Sequence, residues 1–132
     1  MVIDASAVVA ILKDEPDADH FALLIRRAAT RWMSTATYLE AGIVLDQRAP
    51  GAPQDTKDPL SDLLRGSGIS LVPLSEAHAE IAREAYRRYG KGRHRAELNF
   101  GDCMSYALAK SLDEPLLFKG SDFSLTDVRV AR

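Results

Sequence analysis

The chain of 132 residues is 46% hydrophobic and 27% charged, a balance typical of one globular domain, which we expect to span 1–132. Its net charge of −2 at pH 7 gives no support for nucleic-acid binding through overall charge, so any such binding depends on a local basic patch. The one cysteine excludes an internal disulfide, and no apolar run reaches the ~18 residues that a membrane span needs, so we expect a cytoplasmic protein without a membrane partner.

The first third of the chain predicts one strand and two helices. The apolar run at 1–3 is typical of a buried strand, and Ser6 can cap a helix over 7–12. Pro16 then stands in the first turn of a second helix, which extends to Ala28 and carries acids near its start. A short apolar strand followed by helices is the pattern expected of an α/β protein.

The middle of the chain predicts two more helices around a loop. The segment 31–48, "RWMSTATYLEAGIVLDQR", offers a third helix, capped by Ser34 or Thr35. A loop at 49–59 is rich in proline, glycine and polar residues, and a helix follows at about 57–66. The loop is too short to separate two domains.

The second half of the chain continues the alternation of strands and helices. Its segments are, in order, a strand at 69–74, a helix from Ser75, a basic loop at 90–97, a helix ending near Leu112, a strand at 115–119, a turn at 120–127 and a last strand at 128–130. Pro73 places the first of these strands at an edge or near its own end. The whole pattern predicts a parallel sheet with helices on both faces.

Four acids stand out by their positions relative to these elements. Asp4 directly follows the first strand, and Asp122 follows the strand at 115–119 through a Gly-Ser turn. The carboxyl ends of parallel strands share one edge of a sheet, and ligands bind there. Asp102 begins the helix that precedes the Asp122 strand, and Glu40 lies in an otherwise apolar helical segment. We therefore expect Asp4 and Asp122 to emerge at the same edge of the sheet.

Each acid also has an ordinary structural explanation. Asp102 could cap its helix, Glu40 could lie on a solvated helix face, and Asp122 could belong to a turn. Asp4 is harder to explain, because a carboxylate between a buried strand and the apolar "ASAVVAIL" needs a partner. If the acids converge, a cation offsets their repulsion, and a ligand set made only of oxygens favours Mg²⁺ or Mn²⁺.

Four blocks that contain these acids resemble a known family: "MVIDASAVVAIL", "TYLEAGIVL", "LNFGDCMSYALAK" and "LLFKGSDFSLTDV". In order and spacing they are similar to the blocks of PIN-domain ribonucleases, specifically VapC-type toxins of type II toxin–antitoxin pairs. The resemblance spans nearly the whole chain. It implies a three-layer α/β/α sandwich with a small, mainly parallel central sheet.

The resemblance also implies an activity and the residues that carry it. It predicts a metal-dependent endoribonuclease that uses Mg²⁺, with Mn²⁺ as the other candidate ion, and that hydrolyses RNA phosphodiester bonds. Asp4 and Asp102 would bind the metal, and Glu40 and Asp122 would complete the catalytic cluster. Three residues in the same motifs would support the cluster: Ser6, Asn99 and Asp127. The resemblance further implies a cognate antitoxin as inhibitor and a homodimer.

A basic loop lies just upstream of Asp102. Its cationic side chains are Lys91, Arg93, His94 and Arg95. One interpretation is an ordinary solvated loop. The other is a phosphate-contacting rim that positions RNA over the acidic centre, and the net negative charge of the chain makes such a local patch more necessary.

Two alternative functions remain open at this stage. The chain could be a catalytically weak PIN module that acts mainly by forming a complex with an antitoxin and its operator. It could also be another acidic, Mg²⁺-dependent α/β enzyme such as a phosphatase, although "DAS" follows the first strand where a phosphatase would have D-x-D. The residues do not distinguish Glu40 from Asp122 as the general base, nor one metal ion from two.

Overall fold

The structure is a computed structural model that describes residues 1–47 and 58–132. The predicted loop at 49–59 lies almost entirely outside the described residues. Within them the sheet has four strands in the order β3-β2-β1-β4, every neighbouring pair parallel. The strands are β1 (Val2–Ile3), β2 (Trp32–Ser34), β3 (Ser70–Val72) and β4 (Leu116–Leu117). The predicted parallel sheet is thus confirmed, as is the edge position of the strand near Pro73.

Six α-helices accompany the sheet in the described part of the chain. They are α1 (Ala5–Leu12), α2 (Ala18–Arg27), α3 (Thr35–Leu45), α4 (Pro59–Ser67), α5 (Glu76–Tyr89) and α6 (Phe100–Leu112). A short 3-10 helix, Asp122–Leu125, follows β4. None of these helices is long and apolar enough to cross a membrane.

The sheet separates two hydrophobic clusters, which makes the fold three layers deep. Val2 and Leu116 face a cluster built with α5 and α6, whereas their neighbours Ile3 and Leu117 face a cluster built with α1, α2 and α4. Successive residues of a strand point to opposite faces, so two-residue strands contribute to both clusters. The predicted α/β/α sandwich with a small parallel sheet is confirmed.

One strand and several element boundaries differ from the sequence prediction. Residues 32–34, which lie in the segment predicted as the third helix with its cap, form the strand β2. The sequence did not indicate this strand because three residues are too short to show a period of two. Ser34 ends this strand and caps α3. The first helix begins at Ala5, not residue 7, since Asp4 and not Ser6 is its N-cap. The last predicted strand is only a single bridge between Leu116 and Val130.

Two details of the predicted helices were also wrong. Pro16 precedes α2 and does not stand in its first turn. Helical spacing from Ser75 predicts Ala79 and Tyr86 on the inner face of α5, but both are exposed, whereas His78 is buried and accepts a hydrogen bond from the Ser75 backbone N–H. Ser75 and His78 exchange hydrogen bonds as a capping box, which holds the imidazole against the start of the helix. The pattern of small residues along α5 gives no indication that His78 is buried.

Candidate active site

Asp4 is a buried carboxylate at the carboxyl end of β1. It is 5% exposed, and its backbone N–H continues the strand pairing by donating to Leu117 O at 2.9 Å. Oδ2 accepts hydrogen bonds from the backbone N–H of Ser6 at 2.9 Å and from Ser6 Oγ at 2.6 Å. Oδ1 accepts from Ser105 Oγ at 2.5 Å. Hydroxyl and backbone donors, not a basic side chain, thus orient this charge.

Ser105 on α6 also links Asp4 to α3. The residue is fully buried on α6, and its hydroxyl lies 3.1 Å from Thr37 Oγ1 on α3. Sequence reasoning missed both residues. The available signal is weak: each is a small polar residue in an apolar helical segment, where a hydroxyl requires a hydrogen-bond partner.

Asp102 and Asn99 hold the start of α6 by exchanging hydrogen bonds. Asn99 is the N-cap, and its Oδ1 accepts from the Asp102 backbone N–H at 3.0 Å. Asp102 lies three residues later, and its Oδ2 accepts from the Asn99 backbone N–H at 2.8 Å. This reciprocal arrangement satisfies two otherwise unpaired donors. Only one oxygen of Asp102 takes part, so the capping role and a role in the acid cluster are compatible.

The acids lie close enough to act on one another electrostatically. Burial, and then the charges of Asp4 and Asp102, raises the pKa of Glu40 to about 7. Burial, and then the charges of Asp4 and Asp122, raises the pKa of Asp102 to about 6, against the opposing effect of the Asn99 N–H. Like charges in a partly desolvated place disfavour ionisation. Asp4, Glu40 and Asp102 therefore lie within electrostatic range of one another near the carboxyl end of β1, and Asp122 lies within range of Asp102.

Glu40 reaches this place because α6 carries a glycine where α3 approaches it. The carboxyl group of Glu40 lies so close to Gly101 that a β-carbon there would overlap both of its oxygens. Glycine inside a helix is costly relative to alanine, so its presence one residue before Asp102 indicates a close approach. Sequence reasoning did not use that signal.

Asp122 lies after β4, the strand that pairs with β1. It is exposed and opens the 3-10 helix that follows β4. The chain turns before it through Gly120, whose φ of 101° is a backbone conformation that residues with a β-carbon rarely adopt. Asp122 thus belongs to a turn, as the ordinary explanation held, and also contributes charge to the Asp102 environment.

Asp127 has different neighbours. It accepts a hydrogen bond from Tyr106 Oη at 2.6 Å and pairs with Lys110 at 3.4 Å and Arg88 at 3.7 Å. These partners belong to α5 and α6. None of the contacts described for Asp127 joins it to the four acids, so its predicted support of the cluster stays a prediction.

The basic loop divides into one packed residue and three exposed ones. His94 accepts a hydrogen bond from the Ala96 backbone N–H at 3.1 Å, and its ring meets that of Tyr89 edge-on at 5.2 Å. The three exposed members are Lys91, Arg93 and Arg95. The contacts of His94 favour a structural role for it, whereas the exposed cations remain candidates for RNA contact.

The donor atoms of the acid cluster fit a hard divalent cation. They are all carboxylate oxygens, and burial together with their mutual repulsion raises the pKa values of Glu40 and Asp102. Among the described residues, no lysine or arginine charge contributes to either shift. Among the residues that the structure describes, no group of three or more acid, histidine or cysteine side chains is arranged so that it could hold a metal ion. An open ligand set suits Mg²⁺, which retains several of its waters.

Comparison with known proteins gives one family match and several similar sequences. The PIN domain family matches residues 1–129. Ribonuclease VapC of Mycolicibacterium smegmatis is 53% identical over 130 residues, which cover 97% of this chain and 97% of that protein. Ribonuclease VapC30 of Mycobacterium tuberculosis is 50% identical over 130 residues, covering 97% of this chain and 95% of that protein.

Solved structures with the same fold are more distant in sequence. VapC20 of Mycobacterium tuberculosis, described as a sarcin-ricin loop cleaving toxin, has a TM-score of 0.71 at 16% identity and covers 97% of this chain and 98% of its own. A chain of a toxin–antitoxin complex from Klebsiella pneumoniae has a TM-score of 0.66 at 15% identity, covering 93% of this chain and 89% of its own. At these identities the likeness concerns the fold.

Proposed function

The chain belongs to the PIN-domain family and, within it, to the VapC ribonucleases, and on this premise we propose that it is a metal-dependent endoribonuclease toxin controlled by a cognate antitoxin. The observation that carries the proposal is the electrostatic coupling among Asp4, Glu40, Asp102 and Asp122: burial and neighbouring carboxylate charges raise the pKa values of Glu40 and Asp102. A cluster of this kind is a functional-site candidate because retaining it without a ligand costs stability.

The proposed roles follow from how each acid is held. Asp4, oriented by Ser6 and Ser105, and Asp102, oriented by Asn99, would hold the cation with their remaining lone pairs. Glu40 and Asp122 would complete the ligand set or serve the attacking water. Mg²⁺ is our first candidate and Mn²⁺ the second, since both prefer oxygen ligands. A bound cation would neutralise the phosphate charge and make water more acidic.

The reaction we propose is hydrolysis of one phosphodiester bond. A water oxygen forms the new bond to phosphorus, and the bond from phosphorus to the leaving ribose oxygen breaks. The water proton passes to a carboxylate oxygen of Glu40 or Asp122, and the leaving oxygen takes a proton from solvent. Two separate variants, Glu40→Gln and Asp122→Asn, distinguish the two acceptors, because only the loss of the true acceptor removes the acidic limb of the pH–rate profile, where protonation of the base lowers the rate.

The direct test is metal-dependent cleavage of RNA by wild type, Asp4→Asn and Asp102→Asn. We expect each substitution to lower the cleavage rate by about 100-fold or more, since loss of a residue that merely orients a metal ligand already costs 10–100-fold. Asp113→Asn is the matched control, because Asp113 lies at the opposite end of α6, 95% exposed, in a left-handed conformation that asparagine tolerates. Undiminished cleavage by both site variants would exclude the assignment.

A second candidate function is a catalytically weak module that acts by forming complexes. It is favoured by one observation: among the described residues, no group of three or more acid, histidine or cysteine side chains could hold a metal ion. The same cleavage assay separates the two candidates. RNA left intact at saturating Mg²⁺ or Mn²⁺, with an antitoxin bound normally, would support the second.

The partners proposed for the chain are RNA, an antitoxin and a second copy of itself. Its similarity to VapC ribonucleases supports the first, and the presence of the same fold in a toxin–antitoxin complex supports the second. The homodimer and the cytoplasmic location stay predictions. Sedimentation of the purified chain with and without its antitoxin tests the oligomeric state directly.

A further inference from the structure

A groove of about 740 Å³ lies between α5 and the first turns of α6. We call it the α5–α6 groove and define it by Arg83, Tyr86, Lys91, Phe100 and Met104, which line it. Phe100 is 76% exposed, more than any other large hydrophobic side chain in the described part of the chain. Tyr86 is also exposed. Two aromatic surfaces are therefore open to solvent on one concave face.

The groove begins beside the acid cluster. Asn99 and Cys103 contribute to its lining, and in the chain they flank Asp102, with Asn99 exchanging hydrogen bonds with it. Ser105, which lies on the same helix α6, donates a hydrogen bond to the side chain of Asp4. A strand of substrate that crosses the acids can therefore continue into the groove across the start of one helix.

The charge of the groove is positive. Three cationic side chains, those of Arg83, Arg87 and Lys91, line the groove, and no acid among the described residues does. Arg87 is paired with Glu84 at 3.4 Å, whereas Arg83 and Lys91 form no ion pair with any residue that the structure describes. The guanidinium of Arg93 lies over the Tyr86 ring, 5.8 Å from its centre. This concentration of cations stands out in a chain of net charge −2.

Exposed aromatic rings and unneutralised cations together match single-stranded nucleic acid. Bases stack on aromatic side chains without regard to sequence, and backbone phosphates pair with lysine and arginine. An apolar helix would cover the rings but leave the cations in contact with no opposite charge. An acidic segment without aromatic or apolar residues would pair with the cations but leave the rings exposed. RNA supplies both the bases that stack on the rings and the phosphates that pair with the cations.

We propose that the α5–α6 groove binds a nucleotide of the RNA substrate that flanks the cleaved phosphate. The base lies against Tyr86 and Phe100, and the adjoining phosphates are bound by Arg83 and Lys91. This inference rests on the proposed ribonuclease function and adds a substrate-binding surface to it. It also moves the centre of RNA contact from the basic loop alone to α5, with Lys91 common to both.

The test measures binding of a fluorescent single-stranded RNA of mixed sequence to the full chain in EDTA, by anisotropy, at several salt concentrations. We expect Phe100→Ala to weaken binding by roughly tenfold with the salt dependence unchanged, because it removes stacking and no charge. The double variant Arg83→Gln/Lys91→Gln should lower the slope of log affinity against log salt by about 1.4, or ~0.7 for each cation.

Matched controls separate these effects from general changes in the protein. Leu112→Ala removes an exposed apolar side chain from the far end of the same helix, and Arg27→Gln/Arg65→Gln removes two exposed cations from α2 and α4. Neither control should alter RNA affinity or its salt dependence. Since Phe100 is largely exposed, Phe100→Ala should unfold at the wild-type temperature.

Three outcomes would overturn the proposal. One is wild-type affinity and salt slope in both groove variants, and another is no measurable RNA binding by the wild type. The third is unchanged RNA binding together with lost affinity for the antitoxin or a changed oligomeric state, which would make the groove a protein-docking surface. Cleavage with Mg²⁺ on the same preparations keeps the two proposals apart: a wild type that binds RNA through the groove but never cuts it contradicts only the ribonuclease function.

Discussion

The carboxyl group of Glu40 on α3 lies directly against the α-carbon of Gly101 on α6, which leaves no room for a β-carbon at that position. Sixty-one positions separate the two residues along the chain. Their contact is where the two helices meet at the acid cluster, and Asp102 follows Gly101 immediately. The glycine therefore decides where the Glu40 carboxylate can be.

Gly101→Ala should lower RNA cleavage without destabilising the fold. The new methyl would displace the flexible end of Glu40 rather than backbone, while alanine improves helix propensity by about 1 kcal/mol. A displacement of about 1 Å at a catalytic group can cost on the order of 100-fold in rate. Gly66→Ala is the control, because a β-carbon at Gly66 on α4 meets nothing within 4 Å. Thermal unfolding and cleavage rates of both variants check the prediction, which fails if Gly101→Ala cleaves RNA as the wild type does.

Ser105→Ala should destabilise the protein and impair the site. The substitution removes the hydroxyl that donates to Asp4 Oδ1 at 2.5 Å in a fully buried position. A hydrogen bond to a charged group contributes about 1.5–3 kcal/mol. Urea unfolding should show a loss of that order, with slower RNA cleavage at subsaturating Mg²⁺. Ser124→Ala, at an exposed serine of the 3-10 helix, should leave both quantities unchanged, and equal stability of the two variants would contradict the expectation.

The contribution of the acid cluster to the stability of the metal-free protein should fall as pH rises from about 4 to about 7. The pKa values of Asp102 and Glu40 are raised from 3.8 and 4.5 to about 6 and about 7, so the folded state binds more protons than the unfolded state between these limits. Their contribution is then fully present below about pH 4 and is lost as pH approaches 7. With allowance for solvent screening at these half-buried groups, we expect a loss of roughly 1–2 kcal/mol.

Urea unfolding in EDTA between pH 4 and pH 8 measures this effect. As pH rises, the free energy of unfolding of the wild type should fall relative to that of the double variant Glu40→Gln/Asp102→Asn, since the variant lacks both titrating groups. All other carboxylates titrate in both proteins, so the difference between the two curves isolates the cluster. A wild-type curve that rises relative to that of the variant would have the wrong sign for raised pKa values.

Divalent cations should raise the unfolding temperature of the wild type. A ligand that binds only the folded state at 100 times its dissociation constant adds about 2.7 kcal/mol, which corresponds to an increase of several degrees for a domain of this size. The increase should be larger at pH 8 than at pH 5.5, because the carboxylates must ionise to bind metal. Differential scanning fluorimetry with Mg²⁺ and Mn²⁺ measures it.

Asp4→Asn should abolish this metal-induced stabilisation, and Asp113→Asn should retain it. The comparison reports on metal binding independently of catalysis, since no RNA is present. Stabilisation of equal size in wild type and Asp4→Asn would place the cation elsewhere on the protein.

Local pattern was enough to predict the layers of the fold and the identity of the acids. Asp4 was conspicuous because an apolar strand and an apolar helix flank it, and the carboxyl ends of parallel strands necessarily share an edge. The helices that follow Asp4, Ser34, Ser75 and Asn99 each begin with a side chain able to cap them. The strand β2 escaped detection because three residues carry no measurable period.

By itself, then, the sequence determined which segments are apolar, where helices can begin, and which residues carry charge, since these properties depend on near neighbours. Only the tertiary structure decided that Ser105 and Thr37 reach the Asp4 environment and that Glu40 fits against Gly101. The physical reason is that these contacts join helices far apart in the chain. Their geometry is set by how the helices pack on the sheet, and no local periodicity encodes that packing.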